Sequence, residues 1–434
     1  MWPADSSSSQ EWRDDVTDIA DEIGDIDVTD PSVYQQGIPH ATFTRMRREE
    51  PVALRMHDGV PYWAVTRYED LVTVTRDPTT YSSAKGMTNL WDLSKEAMDA
   101  RRSIIDTDPP EHVRLRRLGM PAFTGRRVRN YEDATRAIAI ELLEAAVQAG
   151  EVDIVTAISA PLPIRVIVDI LGVPAQDADY LVELSDHLVA GDSADALAPD
   201  AYGNVTPIEL LPFSSPAAHG LFEYGKRLGE ERRKDPHDDL VTALVQSEVD
   251  GDHLTEAEYA NMFQLLVFAG NETTRTAISN GINAFIENPA QLEHLHRDPA
   301  LVDSAVEEII RYATPVLHMR RTATRPTALA GVPIAEGDKV VIWYASANFD
   351  DAVFADPLSF DITRPIRPKQ VSFGAQGPHH CLGAPLARLE IRILLEEIIR
   401  LGIRFQSAGA IIRTRSNFVN GVVSLPARII PHLR

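Results

Sequence analysis

Between Thr255 and Asn288 the chain reads as one unbroken helix, and no other segment limits the possible folds so strongly. Thr255-Glu256-Ala257-Glu258 is a capping box, in which the Thr hydroxyl and the Glu carboxylate each serve a backbone N–H at the helix start. The segment then runs through Met262-Phe263-Gln264-Leu265-Leu266-Val267-Phe268 to about Glu287 and stops at Asn288-Pro289. About 33 residues at 1.5 Å each make a rod of roughly 50 Å. A rod this long, and this apolar in its middle, has to cross the centre of a domain. Neither it nor any other segment reaches the ~18 consecutive apolar residues of a membrane span.

The rest of the chain fits around that rod. Helical periodicity dominates from Tyr131 to about Ala313, including a helix that starts at Asp298-Pro299 and carries Glu307-Glu308-Ile309-Ile310-Arg311. A last helix spans roughly Pro385 to Leu401, with Gly402 just past its end. Strand alternation appears at Val52–Met56 and Tyr62–Thr66, returns between Arg320 and Ile342, and gives way to an extended tail from Arg413. The Pro-, Ala- and Ser-rich stretch 194–218 reads as a long loop, a common place for a lid. The expected fold is mainly α with a smaller β-rich part.

Charge and cysteine content narrow the setting. With 42 Lys+Arg against 64 Asp+Glu the net charge is −22, which disfavours nucleic acid or an anionic membrane as the main partner. Ten carboxylates and one Arg crowd Met1 to Asp30, so residues 1–25 read as a mobile acidic leader and 26–434 as a single catalytic domain. No basic start and apolar run marks a signal peptide, and the one cysteine, Cys381, rules out an intramolecular disulfide or a multi-cysteine cluster. A cytoplasmic location is expected.

Cys381 sits in Ser372-Phe373-Gly374-Ala375-Gln376-Gly377-Pro378-His379-His380-Cys381-Leu382-Gly383, just before the last helix. A lone cysteine is ordinarily an inert buried one. Here glycines on both sides let the backbone approach a large flat ligand, and N–H groups at the helix start favour a thiolate. A thiolate held in this way suits a haem iron.

This loop resembles the haem-binding loop of the cytochrome P450 family, with Phe373 eight residues before Cys381 rather than the common seven. Ala269-Gly270-Asn271-Glu272-Thr273-Thr274 resembles the family's oxygen-binding segment in mid-helix, Glu308 and Arg311 its Glu-x-x-Arg, and Phe360-Asp361-Ile362-Thr363-Arg364 the segment whose Arg joins that pair. The resemblance implies haem b held between a long distal helix and a proximal Cys loop, with Cys381 as metal ligand, and O₂ as co-substrate. Ala269 and Gly270 are small enough to let the macrocycle close in. Thr273 and Glu272 form the expected catalytic pair, an alcohol for local hydrogen bonding and an acid to relay protons. The resemblance also carries haem contacts onto His112, Arg116, Arg321, Phe373, His379 and Gly383. It gives Glu308, Arg311 and Arg364 a structural role only.

For a substrate the family implies walls from Leu90, Trp91, Ile104, Leu265, Phe268, Val316, Leu317, Phe418 and Val419. These are mainly apolar, so an apolar small molecule is expected: sterol, terpenoid, branched lipid or aromatic. Electrons are expected from NAD(P)H through a ferredoxin reductase and a ferredoxin. Six arginines between positions 114 and 129 (Arg114, Arg116, Arg117, Arg126, Arg127 and Arg129) offer an acidic donor a docking patch, unless they are simply a solvated face. Four other readings compete: a peroxide-driven peroxygenase, a non-catalytic haem-based gas sensor, a haem-free hydrolase built on Cys381 and His379, and an oxygenase for a carrier-bound substrate.

Overall fold

The computed structural model describes residues 26–86, 88, 90–190 and 197–431; the expected leader over 1–25 lies outside them. Eight helices position the site: α1 (Glu111–Gly119), α2 (Glu132–Ala149), α3 (Pro161–Leu171), α4 (Ala178–Ala190), α5 (Pro216–Lys234), α6 (Glu256–Glu287), α7 (Val302–Ala313) and α8 (Ala384–Leu401). Thr255 caps α6 through the full capping box, and Asn288 ends it before Pro289. Helices α3, α4, α5, α7 and α8 all pack on α6, which accounts for its burial over most of its length. The helix expected from Pro299 begins as a tight 3₁₀ turn, Pro299–Leu301, before α7. Loop 197–215 is broken by three such turns.

The β-rich part is a five-stranded sheet of β1 (Val52–His57), β2 (Val60–Val65), β3 (Tyr81–Ser82), β4 (His318–Ala323) and β5 (Lys339–Trp343), in the order β1-β2-β5-β4-β3. The β1–β2 hairpin sets Leu54 opposite Trp63, and β2 runs parallel to β5. Strand Pro426–Pro431 lies in the middle of a smaller sheet, between Glu151–Asp153 and Ile403–Ser407. A large apolar cluster fills the helical part, and two smaller ones lie on the faces of the five-stranded sheet. Among the described residues, no helix is long and apolar enough to cross a membrane.

Candidate active site

Helix α6 and the Cys381 loop face each other across a cavity of about 250 Å³. Ala269, Gly270 and Thr273 form one wall, and Cys381, Leu382 and Gly383 the opposite one. The extra loop residue is absorbed by a turn in which Gly374, Ala375 and Gln376 all take positive φ, at 87°, 30° and 60°. That turn leaves Phe373 in place: its carbonyl accepts from the Cys381 N–H at 2.9 Å, and the Arg388 guanidinium lies 4.5 Å over its ring. Gly377 passes so close to the Thr75 carbonyl that any Cβ would collide with it. The Cys381 side chain has free surface and lines the cavity. Burial pushes the thiol pKa up, while the N–H groups of Gly383 and Ala384, then Arg116 and Arg388, pull the other way.

On α6 the Thr273 hydroxyl donates to the Ala269 carbonyl at 2.7 Å, the i−4 bond open to a mid-helix threonine. Glu272 is buried, and its pKa is raised to about 7, by burial first; Arg275, 3.8 Å away, opposes the shift and Asp186 adds to it.

One end of the cavity is basic. His112, Arg116, Arg321 and His379 all line it. The two imidazoles stand 4.0 Å apart, ring centre to ring centre. Burial, then Arg116, holds His112 down to about pKa 4; burial, then Arg321, holds His379 down to about 2. His112 Nδ1 and His379 Nε2 have no hydrogen-bond partner among the described residues, and Arg321 donates to the Arg320 carbonyl at 2.8 Å while Asp108 and Asp106 act on it only through their charge. Buried ring nitrogens without partners and buried cations with few acceptors are costly, so this end suits a ligand that brings carboxylates. Haem b, with two propionates on one edge and a metal to meet Cys381, fits these residues.

The apolar wall is narrower than the sequence suggests. Ile104, Leu265, Phe268, Val316, Phe418 and Val419 line the cavity. Leu90, Trp91 and Leu317 do not. Leu90 and Leu317 are buried with Val28, Tyr34 and Phe43 on the sheet, and Trp91 is 53% exposed, with its ring stacked near His57. Phe213 of the 197–215 loop, not expected from the sequence, packs behind that wall, its ring centre 4.0 Å from that of Phe268. A buried carboxyl, Glu390, also lines the cavity; it was legible only as a charge on the apolar face of α8.

Glu308 and Arg311 form a buried bidentate pair at 2.7 and 2.8 Å, joined by Arg364 at 3.0 Å. The arginine cluster is less bare than expected. Arg114 holds Asp252 and Glu258, Arg117 holds Asp250, Arg127 bonds Asp238 and the Asp239 carbonyl, and Arg116 turns into the cavity. Arg129 is exposed, and the side chain of Arg126 lies outside those described.

A family model described as cytochrome P450 matches residues 31–406. A methyl-branched lipid omega-hydroxylase of Mycobacterium bovis is 36% identical over 420 residues, 94% of each chain. A steroid C26-monooxygenase of Mycolicibacterium smegmatis is 34% identical over 409 residues, 92% of each chain. A Mycobacterium marinum cytochrome P450 in complex with pseudoionone superposes with a TM-score of 0.80 at 34% identity, covering 93% of this chain and 99% of that one.

Proposed function

Because this chain belongs to the cytochrome P450 family, we propose that it is a haem-thiolate monooxygenase for an apolar small molecule of the isoprenoid or branched-lipid kind. One observation carries the reading: the only thiol of the sequence lines an apolar cavity together with Gly270 and Thr273, and His112, Arg116, Arg321 and His379 gather at one end of it. Haem b, when bound, supplies the binding and reductive activation of dioxygen. Cys381 would ligate the iron, and His112, Arg116, Arg321 and His379 would hold the propionates.

The protein's own groups then do three things. Phe268, Val316 and Phe418 bury an apolar substrate and keep bulk water from the reacting centre. The Thr273 hydroxyl has given its hydrogen to Ala269, so it presents lone pairs to the cavity and orients a donor there. Glu272, with a pKa near neutrality, can hold a proton at the edge of the cavity and release it there. The steroid and branched-lipid relatives, together with the pseudoionone complex, support the substrate class.

Electrons come from a separate redox partner. We assign that role to a ferredoxin with its reductase, in the cytoplasm, docking near Arg129; reduction that speeds up with added salt would argue against an acidic donor. The test of the whole reading is spectroscopic. Reduced wild-type protein with carbon monoxide should show the red-shifted band of a thiolate-ligated haem, and Cys381→His should lose it. An identical spectrum in both would remove Cys381 from the iron. A panel of sterols, terpenoids, branched fatty acids and small aromatics should give a low-to-high spin shift with the first three groups. A shift with the aromatics alone would overturn the substrate class.

A further inference from the structure

Past its apolar run, α6 reads Glu272-Thr273-Thr274-Arg275-Thr276-Ala277-Ile278-Ser279-Asn280-Gly281-Ile282-Asn283-Ala284-Phe285-Ile286-Glu287. At 3.6 residues per turn, Glu272, Thr276, Asn280, Asn283 and Glu287 fall within an arc of about 80°. The first four are each under a tenth exposed, and Glu287 reaches solvent. Such a polar stripe on a central helix is costly unless its groups find partners.

The segment 413–421 covers part of the stripe. Arg413 donates to Asn280 Oδ1 at 2.9 Å, and Asn280 Nδ2 donates to the Asn420 carbonyl at 3.0 Å. Asn283 Nδ2 donates to Glu287 Oε1 at 3.0 Å, and Glu287 also faces the Arg413 charge, so the outer end is close to neutral. Gly421 closes over the inner end: a Cβ there would stand 2.6 Å from Thr414 Oγ1 and 3.6 Å from Glu272 Oε1. Three buried atoms still have no hydrogen-bond partner among the described residues: Glu272 Oε2, Thr276 Oγ1 and Asn420 Oδ1. Thr276 is notable because Thr273, one turn earlier, satisfies its hydroxyl on its own helix and Thr276 does not. Buried polar atoms that the protein leaves unmet are normally met by ordered water.

We propose that this stripe is a hydrated track that carries protons from the Glu287 end of α6 to Glu272. The inference rests on the monooxygenase reading, because that reaction consumes protons inside a closed apolar cavity. Each step is an exchange: the Thr276 hydroxyl accepts a proton on a lone pair as it gives up its own to the next water. The net result is one proton lost from bulk solvent and one gained by the Glu272 carboxylate. Asn280, Asn283 and Asn420 orient the water and do not titrate. The other way out of Glu272 runs through Arg275 to Asp186, with N···O separations of 3.8 and 3.9 Å, beyond hydrogen-bonding reach. A guanidinium also does not give up its proton at ordinary pH.

The test uses the haem-loaded enzyme with a substrate that gives the spin shift. Thr276→Val removes the hydroxyl and keeps the branched shape. It should slow coupled NAD(P)H oxidation roughly tenfold, short of the ~10²–10⁴ lost with a general acid itself, and enlarge the solvent deuterium isotope effect. Thr276→Ser should restore both, with the spin shift and the carbon monoxide band unchanged throughout. Independently of turnover, a high-resolution crystal structure should show water on Thr276 Oγ1, Asn420 Oδ1 and Glu272 Oε2. Wild-type rates in Thr276→Val alongside slowed turnover in Asp186→Asn would overturn the track, as would protein groups alone meeting those three atoms. Failure of the monooxygenase reading looks different: the thiolate carbon monoxide band would already be missing in the wild type.

Discussion

Arg311 and Arg321 are similarly buried, at 1% and 4% exposure, yet the protein treats their charges differently. Arg311 spends its guanidinium on Glu308 and on the carbonyls of Asn348, Pro357 and Ser359. Arg321 donates to the Arg320 carbonyl at 2.8 Å, its one hydrogen bond among the described residues, and lines the cavity with Arg116 and two histidines. A buried cation that the chain itself completes is architecture. A buried cation left facing other donors marks the place where a ligand must bring the negative charge. Breaking each site in turn tests this division.

The completed site should cost most. Arg311→Ala leaves Glu308 buried with Arg364 and the Asp361 N–H as its partners among the described residues. Removing one partner of a buried pair costs about 3–5 kcal/mol, and the loss should be the same with haem removed as with haem bound. Thermal melts of both forms check this. A loss confined to the haem-bound form would move Arg311 into the ligand site and end the distinction.

Glu272 is an intermediate case, a buried carboxyl whose nearest cation stops 3.8 Å short. Its pKa rises from the ordinary 4.5 to about 7, chiefly through burial. The folded state therefore keeps a proton that the unfolded chain gives up in this range. The stability this contributes is fully present below about pH 4.5 and is lost as pH rises through 7. Glu272→Gln is neutral throughout, so its unfolding free energy, read from melts, should gain on the wild type as pH goes from 4 to 8, by at most ~3 kcal/mol. A constant difference between the two proteins across that range would mean that folding does not shift the Glu272 pKa.

What the sequence made legible is local. Glycines around Cys381, an acid next to an alcohol in mid-helix, and a Glu and an Arg three apart are all read from neighbours along the chain. What it hid depends on distant partners or on which way an extended residue faces. Val316 lines the cavity while Leu317, the next residue, turns to the cluster with Val28 and Phe43. The arginines from 114 to 129 looked like a bare basic surface because their acids, Asp250, Asp252 and Glu258, lie more than 130 residues away. The polar stripe of α6 was open to a helical reading of the sequence, but the unmet hydroxyl of Thr276 needed coordinates.

The smallest expected effect is at the site the protein leaves unfinished, and its sign separates it from Arg311. Arg321→Leu takes away a buried cation that Asp108 and Asp106 reach only through their charge, and it keeps apolar volume. Such replacements are often neutral or stabilising, so the haem-free protein should melt at or above the wild-type temperature. The haem-bound form should lose one charge-assisted contact, about 2 kcal/mol, seen as faster transfer of haem to excess apomyoglobin. A haem-free protein weakened as much as by Arg311→Ala would show that Arg321 is held by the fold after all. An unchanged transfer rate would leave His112, Arg116 and His379 as the groups that face the propionates.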